Sequence, residues 1–377
     1  MSVVRLSPDL LAKEPAISHK PTAASSVPSA ALAALHNSLL LKACRREATS
    51  STPIWLMRQA GRYMKEYRDI REKHGFVRMC KDPALAAQIT VDAVEKLGVD
   101  AAILFSDILL LLEPFGFKLE YVDGDGPAIS NPIRNWSDFK NLTVTVIPKD
   151  SMSFVFEAVR QSRRALPGHI PLIGFAGAPF TLASYAIEGE GSRQYTKTKT
   201  LMYTEPDTWH ALMATIANAL IEYLNGQIEA GAQAVQLFDS WVGCLSPDDY
   251  KKFVLPHSKW LIKHIRKGTP VIHFGTQTSA LLELMKEAGG DVIGLDWRVD
   301  LKEAWKRLGY DVGVQGNLDP AVLLSTPGEI KVRAKRVLDQ ATDRPGHIFN
   351  LGHGVLPDTP VENVRALVHA VKELSAY

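Results

Sequence analysis

The stretch Ala234-Val235-Gln236-Leu237-Phe238-Asp239-Ser240 decides the fold. Before it, Trp209, Leu212, Ile216, Leu220 and Tyr223 recur at helical spacing, and Gly231 follows as a residue suited to ending a helix. The stretch itself is apolar but for Gln236 and stops abruptly at the polar pair Asp239-Ser240. A strand apolar on both faces belongs to a parallel sheet covered by helices. The same unit repeats in both directions along the chain. Strands are predicted at Pro53 to Met57, Ala101 to Phe105, Pro171 to Phe175, Ala234 to Phe238, Pro270 to Phe274, Val292 to Leu295, Asp311 to Gln315 and His347 to Asn350. Helical spacing lies between them, as in Leu85-Ile89-Val94-Leu97 and Leu281-Leu284-Met285, and Val364-Leu367-Val368-Val371 follows the last; Gly98 and Gly289 end two of these helices. Eight strands in this alternation favour a closed (β/α)8 barrel, a TIM barrel of the α/β class, over a doubly wound open sheet.

The bulk composition removes several function classes. The chain has 377 residues, 46% hydrophobic and 22% charged, which suits a soluble globular protein. Its formal net charge is only +2 and no Lys/Arg run is interleaved with aromatics, so nucleic acid is not an expected partner. The longest apolar run, Ala101 to Leu112, is too short for a membrane span and carries Ser106 and Asp107, so no membrane association is expected. Cys44, Cys80 and Cys244 are dispersed and form neither a CxxC pair nor a disulfide framework, which fits a reducing, cytoplasmic setting. Residues 1 to 35 are rich in Ala, Ser and Pro and read as a disordered N-terminal extension before a single barrel domain at 36–377. Asp9, Glu14 and the shortage of arginine weaken a transit-peptide reading of that extension, leaving plastid targeting as the minor alternative.

In such barrels the loops after the strands build the active site. That rule selects Arg58 to Tyr63, Ser106-Asp107, Ala176 to Tyr185, Asp239-Ser240-Trp241, Gly275-Thr276, Asp296-Trp297, Gly316 to Pro320 and Leu351 to Gly354. Met57-Arg58-Gln59-Ala60-Gly61-Arg62-Tyr63 sets two arginines and a glycine directly after the first strand, a loop built to grip anions. Residues 58 to 78 hold seven basic against three acidic side chains, Arg71 among the former, so the chain's small positive excess is concentrated here. Asp107 precedes the apolar Ile108 to Leu112 and needs a partner for a poorly hydrated charge; it is either a receptor for N–H groups or positive charge, or a structural carboxylate that caps a loop or pairs with an arginine. Tyr185 closes a Gly/Ala/Pro stretch that leaves room for a bulky ligand, and equally suits half-buried packing. His353, between Gly352 and Gly354, is a site candidate on a loop, though loop histidines often serve only packing. No metal-ligand spacing, phosphate loop, dinucleotide fingerprint or nucleophile elbow is present.

Met57 to Tyr63, Phe105 to Leu109, Gly174 to Tyr185, Phe238 to Ser240, Gly294 to Trp297, Gln315 to Pro320 and Asn350 to Gly354, taken together and in this order, resemble the uroporphyrinogen decarboxylases of haem and chlorophyll biosynthesis. The similarity runs from about residue 37 to the C-terminus. The resemblance implies a (β/α)8 enzyme without cofactor or metal, usually a homodimer, that converts uroporphyrinogen III to coproporphyrinogen III with release of four CO2. It implies substrate contacts from Arg58, the backbone around Gln59 and Ala60, Gly61, Arg62, Arg71, Asp107, and the side chains of Tyr185, Ser240 and His353, with Asp107 and Arg58 catalytic. A guanidinium is a weak general acid, so Arg58 would shuttle a proton through water or a substrate carboxylate. Lys65 departs from the family pattern, which often has proline there, and the N-terminal extension has no counterpart in it. Two other readings compete. Cobalamin-dependent methyl transfer on the same barrel needs a zinc-bound thiolate, which His273-Phe274-Gly275 does not supply, and a tetrapyrrole carrier would not need the Asp107 carboxylate.

Overall fold

The computed structural model describes residues 29–122 and 126–376. Among the described residues nine strands run in chain order: β1 (Ala102–Ile103), β2 (Leu119–Val122), β3 (Gly126–Ile129), β4 (Leu172–Gly177), β5 (Ala234–Asp239), β6 (Val271–Gly275), β7 (Val292–Gly294), β8 (Gly313–Gln315) and β9 (His347–Ile348). Seven form one sheet in the order β1-β4-β5-β6-β7-β8-β9, and every adjacent pair is parallel. The segment 53–57 closes the sheet into a barrel. Phe349 N donates to Pro53 O at 2.8 Å on one side, and Asp100 N donates to Ile54 O at 2.8 Å on the other. The first predicted strand is thus present only as a bridge between Ile54 and Phe349. The reason is local: Pro53 has no N–H to give, and the Ile54 N–H is taken by the Asp100 carboxylate at 2.9 Å. The predicted extension at 1–35 lies mainly outside the described residues; at its described end, Ser29–His36 is a helix.

The helices form where the sequence caps them. In the helix Pro83–Leu97, Asp82 accepts from Ala84 N at 3.0 Å and from Leu85 N at 3.3 Å, and Pro83 opens the first turn. Ile89, Ala93, Val94 and Leu97 bury one face, and Gly98 at φ 68° ends the helix in the left-handed region. The predicted helical spacings at 209–223 and 364–371 fall in the helices Pro206–Ala230 and Val361–Leu374, and that at 281–285 falls in the helix Leu282–Ala288 with Leu281 as its N-cap.

Inside the barrel, alternate residues of each strand converge. Trp55 Nε1 donates to Gln315 Oε1 at 3.0 Å, and Gln315 Nε2 donates to Gln236 Oε1 at 3.0 Å, a chain of side-chain hydrogen bonds across the lumen. Two residues further along β5, Phe238 faces the same way and meets Phe175 and Phe274 edge-on, with ring centroids 5.6 and 6.0 Å apart. The polar layer thus lies below an aromatic one. The antiparallel hairpin of β2 and β3 stands outside the barrel sheet and was not among the predicted strands.

Two loops at the strand ends are laced together. Asn350 Oδ1 accepts from Met57 N at 3.0 Å and from Leu351 N at 2.8 Å, and Val355 N donates to Met57 O at 2.9 Å. Asn350 is fully buried, so truncating it strands two amide donors away from water. Asn350→Ala is expected to lower stability by roughly 2–4 kcal/mol, read as a shift of the urea midpoint. A midpoint equal to that of the unaltered protein would show that the lacing is dispensable.

Candidate active site

The C-terminal ends of the strands open into a cleft of about 680 Å³, within the usual size range of small-molecule sites. Phe105, Phe175, Phe238 and Phe274 give it an apolar lining, and Asp107 is set among them. Arg58, Ala60, Gly61 and Arg62 reach the same cleft from the loop after segment 53–57, Arg71 from the helix Lys65–His74, and Ser240 and His353 from two further loops. A second hollow of about 1050 Å³, beside Arg45, Arg46, Arg266 and Lys267, is larger but borders the residues that lead into β5 and β6. It lies at the opposite, N-terminal end of the strands, the face that serves stability in this fold.

The arginine loop is shaped by its backbone. Arg58 takes φ 60°, and a Cβ on Gly61 would come within 2.9 Å of the Arg58 carbonyl, so the turn closes only around glycine. Gly354 performs the same service from the facing loop, because a Cβ there would fall on the Arg58 side chain. The Arg68 guanidinium donates to Arg62 O at 2.9 Å and Tyr63 O at 2.8 Å and holds the loop from behind. Lys65 pairs with Asp69, and Lys96 with Glu66, on the outer surface. Arg58, Arg62 and Arg71 line the cleft, the last with its guanidinium 5.4 Å from the centre of the Phe76 ring.

Asp107 is the opposite charge. Its Oδ1 accepts from Leu109 N at 2.8 Å and from Tyr121 OH at 2.7 Å. Loss of solvation in the apolar wall pushes its pKa above the ordinary carboxylate value, and the Tyr121 hydroxyl, the Leu109 amide and the Arg58 charge pull it back part of the way. His353 is pushed down to about 4, first by burial and then by the Arg58 and Arg298 charges, so its imidazole is neutral near pH 7. It can exchange hydrogen bonds there without adding positive charge.

Two expected site residues stand apart. Gln59 is buried: its side chain accepts from Leu56 N at 3.1 Å and donates to Ala101 O at 3.1 Å, joining the closing segment to β1 rather than lining the cleft. Tyr185 is half-buried beside Trp241, 6.1 Å between ring centres, close enough to Asp107 and Arg58 for their charges to act on its phenol. Of the other strand-end residues, Asp239 turns away and accepts from Thr181 Oγ1 at 3.1 Å behind the barrel wall. Asp296 is held by Gln277 N at 2.6 Å and Arg298 Nη1 at 2.7 Å. Tyr121 was missing from the expected set altogether, and it belongs to the unpredicted hairpin.

By sequence, the known proteins that this chain resembles fall in one family. A model of the family described as Uroporphyrinogen decarboxylase (URO-D) matches residues 35–374. The chain belongs to the uroporphyrinogen decarboxylase family. It is 55% identical over 341 residues to the uroporphyrinogen decarboxylase of Carboxydothermus hydrogenoformans, covering 90% of this chain and 97% of that one. The enzyme of the same name from Sorangium cellulosum is 52% identical over 339 residues, covering 89% and 97%. Among solved structures, a methyltransferase from Methanosarcina mazei superposes with a TM-score of 0.74 at 20% identity, covering 89% of this chain and 98% of the other, which speaks for the barrel alone.

The raised pKa of Asp107 has a consequence for stability that separates it from the ion pairs of the surface. The folded state holds the Asp107 proton more tightly than the unfolded chain does. Stability is therefore lost as pH rises from the ordinary carboxylate range through the raised folded value, and stays lost above it. Asp107→Asn keeps an oxygen for both Tyr121 and Leu109 and removes the buried charge. The variant is expected to melt higher than the parent at pH 7, with the two curves converging as pH falls to the ordinary carboxylate range. A lower melting temperature for the variant at pH 7 would contradict this electrostatic account.

Proposed function

We propose that this chain decarboxylates uroporphyrinogen, converting the four acetate arms of the macrocycle to methyl groups with release of four CO2, and that the cleft does so around Asp107. The observation that carries the reading is the pairing of one carboxylate in an aromatic wall with a rim of arginines on a single cleft. A phosphate ligand would have no use for the anion at the centre. A porphyrinogen has four inward N–H donors and eight carboxylate arms, and it is complementary to both features.

The chemistry follows from the substrate. Protonation of a pyrrole carbon next to the acetate-bearing one turns that ring into a cationic electron sink. The bond from CH2 to the carboxylate carbon then breaks, its electron pair enters the ring, and CO2 leaves. A proton adds to the exocyclic carbon to give the methyl group, the ring carbon returns its proton, and the net change is carboxylate plus one proton to methyl plus CO2. The ionised Asp107 accepts the ring N–H groups and stabilises the developing positive charge where the apolar wall weakens screening by water. Arg58, Arg62 and Arg71 hold the arms, with Arg58 placed to pass a proton through water or a bound carboxylate. The neutral His353 offers a hydrogen bond beside Arg58 and Ser240 another from the loop after β5, and Tyr185 lies close behind. A single central acceptor serves each arm in turn if the ring rebinds rotated.

The competing methyl-transfer chemistry needs an exposed thiolate, whereas His273 is fully buried and its neighbour two residues on is Gly275. The family resemblance also supports a homodimer, and Cys44, Cys80 and Cys244, all free thiols, suit a reducing cytoplasm. Asp107→Asn, folded as judged by its melting curve, is expected to lose at least about a hundredfold in CO2 release from chemically reduced uroporphyrinogen III, since it removes a preorganised charge at the reacting centre. The unaltered protein in the same preparation should have the mass of two chains by light scattering. Turnover by the Asn variant equal to that of the parent would refute the central role of Asp107.

A further inference from the structure

Tyr121 touches the reacting centre of this reading without any part in it so far. Its hydroxyl and the Leu109 amide both donate to Asp107 Oδ1, and Oδ2 accepts no hydrogen bond among the described residues. The carboxylate is therefore lopsided, with one oxygen saturated by the protein and the other left to the cleft that Asp107 lines. The ring of Tyr121 is held in place. Phe76 meets it at 4.9 Å between centroids and 61° between planes, and Phe105 braces Phe76 edge-on at 6.3 Å and 88°. The Arg71 guanidinium covers the Phe76 ring as well. Across the hairpin, Tyr121 stands opposite Pro127, which lines the cleft too, so the same hydroxyl also fastens this wall to Asp107.

We propose that Tyr121 is a positioning residue for the decarboxylation: its hydroxyl fixes Asp107 Oδ1, keeps the carboxylate ionised in an apolar wall, and presents Oδ2 as the acceptor for the ring N–H groups. The inference rests on the role given to Asp107 above. Arg58 from the first loop favours the ionised form; Cys80 from the helix Phe76–Lys81, Tyr185 from the helix Pro179–Glu188 and Tyr223 from the helix Pro206–Ala230 also face the carboxylate, and burial raises all three, so they stand neutral. Burial and the Asp107 charge likewise raise the Tyr121 phenol far beyond any working pH, so it remains a donor throughout. The Leu109 donor is backbone. Tyr121 is thus the neutral side-chain donor that opposes desolvation of Asp107, and the one that substitution can remove.

The test is Tyr121→Phe, which keeps the ring contacts and deletes only the donor. Two quantities are read on parent and variant: the Asp107 titration, by carbon NMR of protein carrying 13C-carboxyl aspartate with the signal assigned by its loss in Asp107→Asn, and the pH profile of kcat/KM for uroporphyrinogen. The proposal expects the Asp107 midpoint to move to higher pH in the variant and the acid limb of the profile to follow it. On that limb kcat/KM should fall roughly tenfold, the weight of a hydrogen bond to a charged group, with a much smaller loss on the plateau. An unmoved Asp107 midpoint overturns the inference whatever the activity. A uniform loss at all pH values overturns it too, since that is the mark of a merely structural role. A midpoint that moves while the acid limb does not would support the tie between Tyr121 and Asp107 and overturn the catalytic role of Asp107 itself.

Discussion

A carboxylate kept charged in a wall of phenylalanines is the constraint from which the functional architecture follows. Loss of solvation works against the ionised form of Asp107, and an unpaired charge in such a place would simply take up a proton. The protein answers with a backbone amide, a phenol and a guanidinium, each supplied by a different element. None of the three saturates the group, so one oxygen and a residual negative potential are left for a ligand. The same arrangement that costs folding stability at neutral pH is what gives the cleft an electrostatic centre.

Holding the guanidinium in range is a task for the barrel closure. Segment 53–57 is too poor in regular pairing to act as a full strand, and its place is secured by Phe349, Asp100, Asn350, Gln59 and Val355 instead. The closure fixes the exit of the chain at Met57, from which the left-handed Arg58 turns over Gly354. The first and last strand-end loops of the barrel thus become neighbours, and Arg58 meets His353 although nearly the whole chain separates them. Below, the Trp55, Gln315 and Gln236 chain fills the lumen and supports the aromatic layer that forms the cleft floor.

Much of this is legible in the sequence, and the exceptions have physical causes. The alternation of apolar runs with helical spacings is a strong signal because both faces of each strand are buried, and the barrel rule then picks Arg58, Asp107, Ser240 and His353 without further information. The strand at 53–57 was overestimated because apolar content does not reveal that Pro53 withholds a donor. Gln59 sits between residues that face the cleft, yet its amide is consumed by Leu56 and by Ala101, a backbone partner 42 positions away that no local pattern encodes. Tyr121 escaped for a similar reason. Its strand alternates cleanly over Phe117-Lys118-Leu119-Glu120-Tyr121, but it stands outside the repeat of barrel strands and helices, so the barrel rule does not select it, and its bond to Asp107 exists only after the chain has folded back.

The most direct measurement of the account is a crystal structure of this protein with coproporphyrinogen bound, prepared without oxygen so that the macrocycle stays reduced. The account predicts the ring in the cleft with its inner nitrogens about 2.7–3.2 Å from Asp107 Oδ2 and its carboxylate arms on Arg58, Arg62 and Arg71. A macrocycle whose nitrogens turn away from Asp107, or one bound outside this cleft, would contradict it.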